Sequence, residues 1–319
     1  MDIMILKDTN RADTSKKSAL LDTLAQLPTA DQTLRKKARS KYYTNQIVGH
    51  LLYLDSPLHK QYQRAYYCNH SIIQEGNKFK SKYCNSRACH ICNRIRTAKA
   101  MNGYMKQFEG LKNLKFTTLT FRNVNKDDLR ASIVEMTKRL SDIVRVLRER
   151  RKINISGIRK IEVTYNGDTD TYHPHIHLLH DNDCGDMIIE EWLKRYGERA
   201  SLSGQDTTSA NKDSFNELFK YSTKVSYKAK GDKAHKIYIH ALDTILISLN
   251  GLRTFQPFGI IKKVSEEVAE LQTQILEVEN KDYTEWQYDD NLNDWINVYN
   301  RYEMLTGYKP PDLKLIIYF

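Results

Sequence analysis

Apolar side chains recur along this chain with two different periods, and the points where one period gives way to the other mark its elements. Period two governs the middle. Phe116-Thr-Thr-Leu-Thr-Phe121 is rich in Thr and aromatic residues and reads as a strand. Ile158-Arg-Lys-Ile-Glu-Val-Thr-Tyr165 reads as a second, and after the turn residues Asn166-Gly167-Asp168 comes a third, Thr171-Tyr-His-Pro-His-Ile-His-Leu-Leu179. Two strands around such a turn predict a hairpin. A turn centred near Asp168 and Thr169 sets Glu162 opposite His175 and Thr164 opposite His173. A slip of one residue would undo that pairing.

Helical spacing takes over elsewhere. From Asp127 the residues Leu129, Ile133, Met136, Leu140, Ile143 and Leu147 form one stripe that ends in the basic run Arg148 to Lys152. The first 66 residues read as helical, with one pattern through Leu34, Ala38 and Tyr42, and a second through Ile47, Leu51, Leu52 and Leu54 that Pro57 stops. Ser214 to Lys224 reads as another helix. Lys236 to His240 and Ala241 to Leu249 give a strand or short helix, and Arg253 to Ile261 is expected to close the sheet. Past Ile261, Val264, Val268, Leu271, Ile275 and Val278 again predict helix.

The histidine strand carries the first candidate chemistry. Alternate side chains of a strand share a face, so His173, His175 and His177 point one way while Tyr172, Pro174, Ile176 and Leu178 point the other. Imidazoles clustered on an apolar backing suit a divalent metal. The pairing above adds the Glu162 carboxylate to them. Cysteine supplies a second candidate. Cys68, Cys84, Cys89 and Cys92 end in a C-x2-C pair and resemble the ligands of a structural zinc site, with His70 or His90 able to replace one of them; Cys184 lies apart. In the absence of a secretion signal, disulfides are the weaker alternative.

Charge adds a partner. The net charge is +11, and residues 77–160 hold 22 Lys and Arg against 6 Asp and Glu. A basic middle beside a more acidic periphery points to a polyanion bound in one place. Lys82, Arg87, Arg94 and Arg96 surround the cysteines and are candidate DNA contacts, with tyrosines nearby for base stacking. The tail from Ile261 has 12 acidic and 6 basic residues and suits packing or a protein partner better than DNA. No run of about 18 apolar residues is present, and Met1-Asp2-Ile3-Met4 lacks a basic stretch before an apolar one, so no membrane is expected and the location expected is the cytoplasm.

On the helix at 214–224, Glu217, Tyr221 and Lys224 lie four and three residues apart and share a face. A phenol that attacks a phosphodiester must lose its proton, and the phosphate charge must be offset, so a carboxylate, a lysine and a metal together meet its needs. For Glu217 an ion pair with Lys220 or Lys224 is an equal alternative.

The ordered set Phe116-Thr-Thr-Leu-Thr-Phe121, His173-Pro-His-Ile-His177 and Tyr221-Ser-Thr-Lys224 resembles the three motifs of HUH endonucleases. Within that superfamily it is most similar to rolling-circle replication initiators of small bacterial plasmids with a single catalytic tyrosine, and the resemblance covers roughly Cys68 to Lys228. It implies an α+β fold with a central antiparallel sheet, flanking helices, a small zinc module and helical terminal regions. The segments expected are 1–66 (helical), 67–110 (cysteine-rich zinc and DNA-binding module), 111–261 (nuclease domain) and 262–319 (acidic, helical).

The resemblance also implies roles. His175 and His177 would bind Mg or Mn, with Glu162 or His173 as third ligand; Tyr221 would be the nucleophile that leaves a 5′-phosphotyrosine and a free 3′-OH. Lys224 would offset charge, and Glu217 would activate the water that ends a round by hydrolysis. The partner implied is single-stranded or hairpin origin DNA. With no G-x-x-x-x-G-K-[S/T] loop in the chain, a host helicase and a single-strand-binding protein are implied as well. Two other functions fit parts of the pattern: a non-enzymatic zinc-dependent DNA-binding regulator, and a relaxase or transposase of the same superfamily. The tyrosine lies after the histidines, which argues against a relaxase.

Overall fold

The computed structural model describes residues 30–219, 235–265, 268, 283–311 and 315–318. Helices α1 (Ala30–Leu51) and α2 (His59–Tyr66) lead into a hairpin of β1 (Ser71–Glu75) and β2 (Lys78–Ser81), followed by α3 (His90–Phe108). The hairpin turns at Gly76, whose φ of 55° is one that side chains rarely tolerate. Then come β3 (Lys115–Thr120), α4 (Lys126–Arg150), β4 (Gly157–Asn166), β5 (Thr171–His180), α5 (Gly185–Tyr196) and β6 (Asp206–Ser209). The remainder comprises α6 (Lys212–Phe219), β7 (His235–Tyr238), α7 (Ile239–Leu249), β8 (Phe255–Phe258), β9 (Thr284–Asp289), β10 (Asp294–Asn297) and β11 (Leu315–Tyr318).

The architecture is α+β around a five-stranded antiparallel sheet ordered β6-β3-β5-β4-β8. β5 is its middle strand. Period two makes each strand two-faced, and the two faces meet different partners. Leu119, Ile161, Val163, Ile176 and Leu178 pack against Leu129, Ile133, Met136 and Leu140 of α4, Trp192 of α5 and Ile245 of α7. On the opposite face Phe116, Ile158 and Leu179 pack against Tyr104 and Phe108 of α3 and Leu218 and Phe219 of α6. That second face is apolar at one end only. Further along it the same three strands present His173, His175 and His177, Glu162, Thr118 and Thr120. The expected register is the one observed, with Glu162 opposite His175 and Thr164 opposite His173. β8 pairs with β4 and closes one edge, as expected for 253–261.

Two expectations need correcting. The two helical patterns in the first 66 residues are one helix, α1, for residues 30–51; nothing between Tyr42 and Ile47 breaks it, and Ala38, Lys41, Val48 and Leu51 form a continuous buried stripe. Residues 1–29 lie outside the described residues. The described part of 262–319 is not helical: β9 and β10 form an antiparallel hairpin, and β9 adds to β1 in a four-stranded sheet ordered β10-β9-β1-β2. The physical reason is a short period-two pattern, in which Trp286 and Tyr288 are buried while Gln287 between them is exposed. The helical spacing through Leu271, Ile275 and Val278 lies outside the described residues.

The face away from the histidines carries much of the packing, and Leu119 is fully buried within it. Leu119→Ala should lower unfolding free energy by about 3 kcal/mol through lost transfer energy and the cavity left behind. Urea denaturation followed by circular dichroism measures this.

Candidate functional site

The hairpin of β4 and β5 brings a carboxylate and two imidazoles to one point. Nε2 of His177 lies 3.1 Å from Glu162 Oε2, and Nε2 of His175 lies 3.5 Å from the same oxygen. All three side chains are buried, Glu162 to 1% exposure. Each ring is held from behind. His175 Nδ1 donates to the carbonyl of His173, and His177 Nδ1 pairs with the Thr118 hydroxyl while its ring stacks on Phe116.

These contacts specify what the point can hold. A carbonyl oxygen only accepts, so neutral His175 carries its proton on Nδ1, and its Nε2 presents a lone pair to a carboxylate oxygen. Electron pairs converging in a buried place repel unless a cation lies among them. The donor atoms of Glu162, His175 and His177 all lie within 4.8 Å of one another, a spread that one divalent ion can bridge. Protonation agrees. Burial pushes the Glu162 carboxyl up, but its contacts with His175 and His177 and the charge of Lys160 outweigh it and hold the group well below the usual carboxylate range. Burial pulls His177 below the ordinary imidazole value, and its contact with Glu162 offsets only part of this. An ionised carboxylate and neutral imidazoles are the forms that bind metal. His173 is not in this group: its Nε2 is bonded to the Thr120 hydroxyl.

The cysteines make a second cluster. Cys68 follows α2, Cys84 follows β2, and Cys89 and Cys92 sit at the start of α3, where Cys89 is the N-cap and its sulfur accepts from the Cys92 amide. Their sulfurs also lie within 4.8 Å of one another, with Cys92 3.7 Å from both Cys68 and Cys84. No disulfide joins any of them. His70 and His90 are not part of this group; His70 pairs with Gln287, and burial pulls His90 down to about 4. Two lysines of α1 stand close by. Burial lowers both Lys37 and Lys41 to about 8, and the cysteine charges work against that shift.

The remaining candidates are placed unevenly. Glu217 is half-buried on α6, and its backbone carbonyl accepts from Lys160. Tyr221 and Lys224 lie outside the described residues. Lys82 is exposed, as is Arg94, whose guanidinium is 3.4 Å from the Ser40 hydroxyl. Arg87 and Arg96 are used differently. Arg87 donates to the carbonyls of Leu249 and Leu252 and so fastens the cysteine module to the chain around it, while Arg96 donates to the carbonyl of Asn85 and the side chain of Asn93 and braces the module from within. A cavity of about 580 Å³ opens beside the cluster, lined by Tyr67, Lys82, Tyr83, Cys84, Arg87 and Asn250 among others.

Residues 76–180 match a family model described as a replication protein. Relatives named "Protein rep" agree. One from Streptococcus pneumoniae is 31% identical over 131 residues, 36% of this chain and 40% of its own. Another, from Staphylococcus aureus, is 35% identical over 116 residues, 34% of this chain and 48% of its own. A third, from Lactiplantibacillus plantarum, is 22% identical over 241 residues, 66% of this chain and 74% of its own. The chain thus spans less than half the length of the first two. No solved structure matches it.

The replication protein match contains the Glu162, His175 and His177 group and three of the four cysteines, with Cys68 just before it. Inside that stretch a further charged residue stands beside the carboxylate. Lys160 shares a sheet face with Glu162 and is 2% exposed, and period two alone places it there, two residues from the carboxylate.

The protonation states set a pH dependence. Because the His177 pKa lies below 6.5, the imidazole stays neutral at pH 7 and takes up a proton only on acidification below the ordinary histidine range. Affinity for a divalent probe such as Mn2+ should therefore hold steady from pH 8 to about 6.5 and fall below it. Electron paramagnetic resonance titration at stepped pH reads this, and a response independent of pH would exclude the imidazoles as ligands.

Proposed function

We propose that this protein initiates plasmid replication by nicking and rejoining one DNA strand through a tyrosine. The observation that carries the proposal is the meeting of Glu162, His175 and His177 on the middle of the central sheet, inside the stretch that matches the replication protein family. The nicking chemistry follows from the motif order read in the sequence. The Tyr221 oxygen attacks the phosphorus, the bond to the 3′ oxygen breaks, and that oxygen leaves with a proton as a free 3′-OH from which synthesis starts. The strand remains joined to the protein as a 5′-phosphotyrosine. Lys224 offsets charge on the phosphate, and Glu217 takes a proton from the water that later hydrolyses the phosphotyrosine.

Glu162, His175 and His177 would hold Mg or Mn, which supplies Lewis-acid polarisation of the scissile phosphate. Hard carboxylate and borderline imidazole donors suit these ions. The four thiolates would hold zinc: bonds of about 2.3 Å in a tetrahedron give sulfur separations of about 3.8 Å, and two of those observed are 3.7 Å. In that arrangement Lys37 and Lys41 offset part of the thiolate charge. Lys82, Arg94 and the tyrosines of the neighbouring cavity are the groups that would meet phosphate and bases of single-stranded or hairpin origin DNA. A host helicase and a single-strand-binding protein would complete the work in the cytoplasm, since the sequence has no nucleotide-binding loop of its own. No helix among the described residues is long and apolar enough to cross a membrane.

Incubation with single-stranded origin oligonucleotides and Mn2+ should yield an adduct that survives SDS. Tyr221→Phe should abolish it, and His177→Ala should slow its formation about a hundredfold or more while leaving the circular dichroism spectrum unchanged. Glu217→Ala should form the adduct and fail to release it. An adduct of wild-type yield in Tyr221→Phe would refute the assignment of the nucleophile.

Metal analysis provides a separate check. The purified chain should carry one tightly bound zinc, and Cys84→Ser should lower both the zinc content and the melting temperature, with adduct chemistry on short oligonucleotides less affected than origin binding. Full zinc content in that variant would remove the cysteines from the ligand set.

A further inference from the structure

We propose that Lys160 is a positioning residue whose ammonium ties the Glu162 carboxylate on the central sheet to the backbone of α6, so that the cation site and this helix hold one fixed relation. The inference rests on the reading of Glu162 and Glu217 as parts of one nicking site. The geometry is direct. Lys160 Nζ donates to the carbonyl of Glu217 at 3.1 Å and lies 3.7 Å from Glu162 Oε2. The first distance is a hydrogen bond; the second is too long for one and acts through charge.

The surroundings make a lysine conspicuous at this position. Lys160 faces His177 on one neighbouring strand and Phe255 on the other, and Ile158 precedes it on the same face. Leu179, Leu218 and Phe219 fill the apolar half of this face. An aliphatic side chain would extend that packing at no cost in buried charge, whereas an ammonium taken out of water destabilises the fold unless it is paired. Lys160 stands where the apolar half of the face ends and the acceptor half begins. Its partners lie on both sides of that boundary: a sheet carboxylate that belongs to the cation site, and a helix carbonyl that belongs to the layer above. One side chain therefore adds a polar tie between the sheet and α6 to the apolar contacts of Leu218 and Phe219.

A positioning role has a signature that ligand loss lacks. A divalent ion at Glu162 and the Lys160 ammonium repel each other, so neutralising the lysine should not weaken the ion. It should loosen the helix and slow the reaction instead.

Lys160→Met and Lys160→Arg in the full chain separate these effects, with three readouts: hydrogen exchange of the Ser214 to Phe219 amides, Mn2+ affinity, and single-turnover adduct formation. In Lys160→Met, exchange in α6 should quicken about tenfold or more while α4 is unchanged. Mn2+ affinity should stay equal or rise, and adduct formation should fall about tenfold or more. Lys160→Arg should recover much of both losses. Unchanged exchange in α6 overturns the proposal. So does general loosening with loss of Mn2+ binding, which would mark Lys160 as a support of the fold at large. Loosening of α6 in Lys160→Met beside a wild-type protein that forms no adduct would uphold the tie and sink the nicking function.

Discussion

The pairing of β4 with β5 is the constraint on which the rest depends. That register alone sets a carboxylate and the two imidazole nitrogens against one another in a place closed to water. They are held by what surrounds them: the His173 carbonyl and Thr118 hydroxyl orient the rings, Phe116 stacks on one of them, and the opposite sheet face is locked by α4, α5 and α7. The apolar core on one face and the polar contacts on the other therefore hold the carboxylate and the imidazoles in one fixed arrangement.

Buried negative charge recurs at the cysteines, with the same answer. Cys68 is pulled down as a thiolate by hydrogen bonds from Cys84, Cys89 and Cys92, while burial pushes Cys89 up. Lysines stand near both anionic groups, Lys160 at the carboxylate and Lys37 and Lys41 at the sulfurs. In each case the lysine reaches in from another layer or keeps contact with one: Lys160 with α6, and Lys41 from α1 with the carbonyl of Tyr66. The cations that balance the two clusters are thus also ties between elements.

Much of this was legible in the sequence because strand patterning is local. Alternation in Thr171–His180 and Gly157–Asn166, with turn residues between them, was enough to place Glu162 beside the histidines before any tertiary information. The long stripe of α4 was equally plain. What stayed hidden depended on partners distant in the chain. Arg87 looks like a DNA contact in a one-dimensional view, and only the fold shows the carbonyls of Leu249 and Leu252 that it meets. Spacing alone sets both Glu162 and His173 near His175; that Glu162 meets the two imidazoles while His173 meets the Thr120 hydroxyl depends on the packing of β3.

The acidic tail shows how spacing alone misleads about secondary structure. Its charge suggested packing or a protein partner and its spacing suggested helix, and the described hairpin β9–β10 is built into the cysteine module through β1. Trp295 is fully buried and its indole donates to the carbonyl of Asn69, the residue after Cys68, which itself sits at a φ of 55°. Asn69 in turn donates from its side chain to the carbonyl of Lys82, two residues before Cys84. The tail therefore braces two of the four sulfur-bearing segments from behind. A module of this size has too small a core to fix four thiolates by packing alone. The hairpin supplies the missing wall.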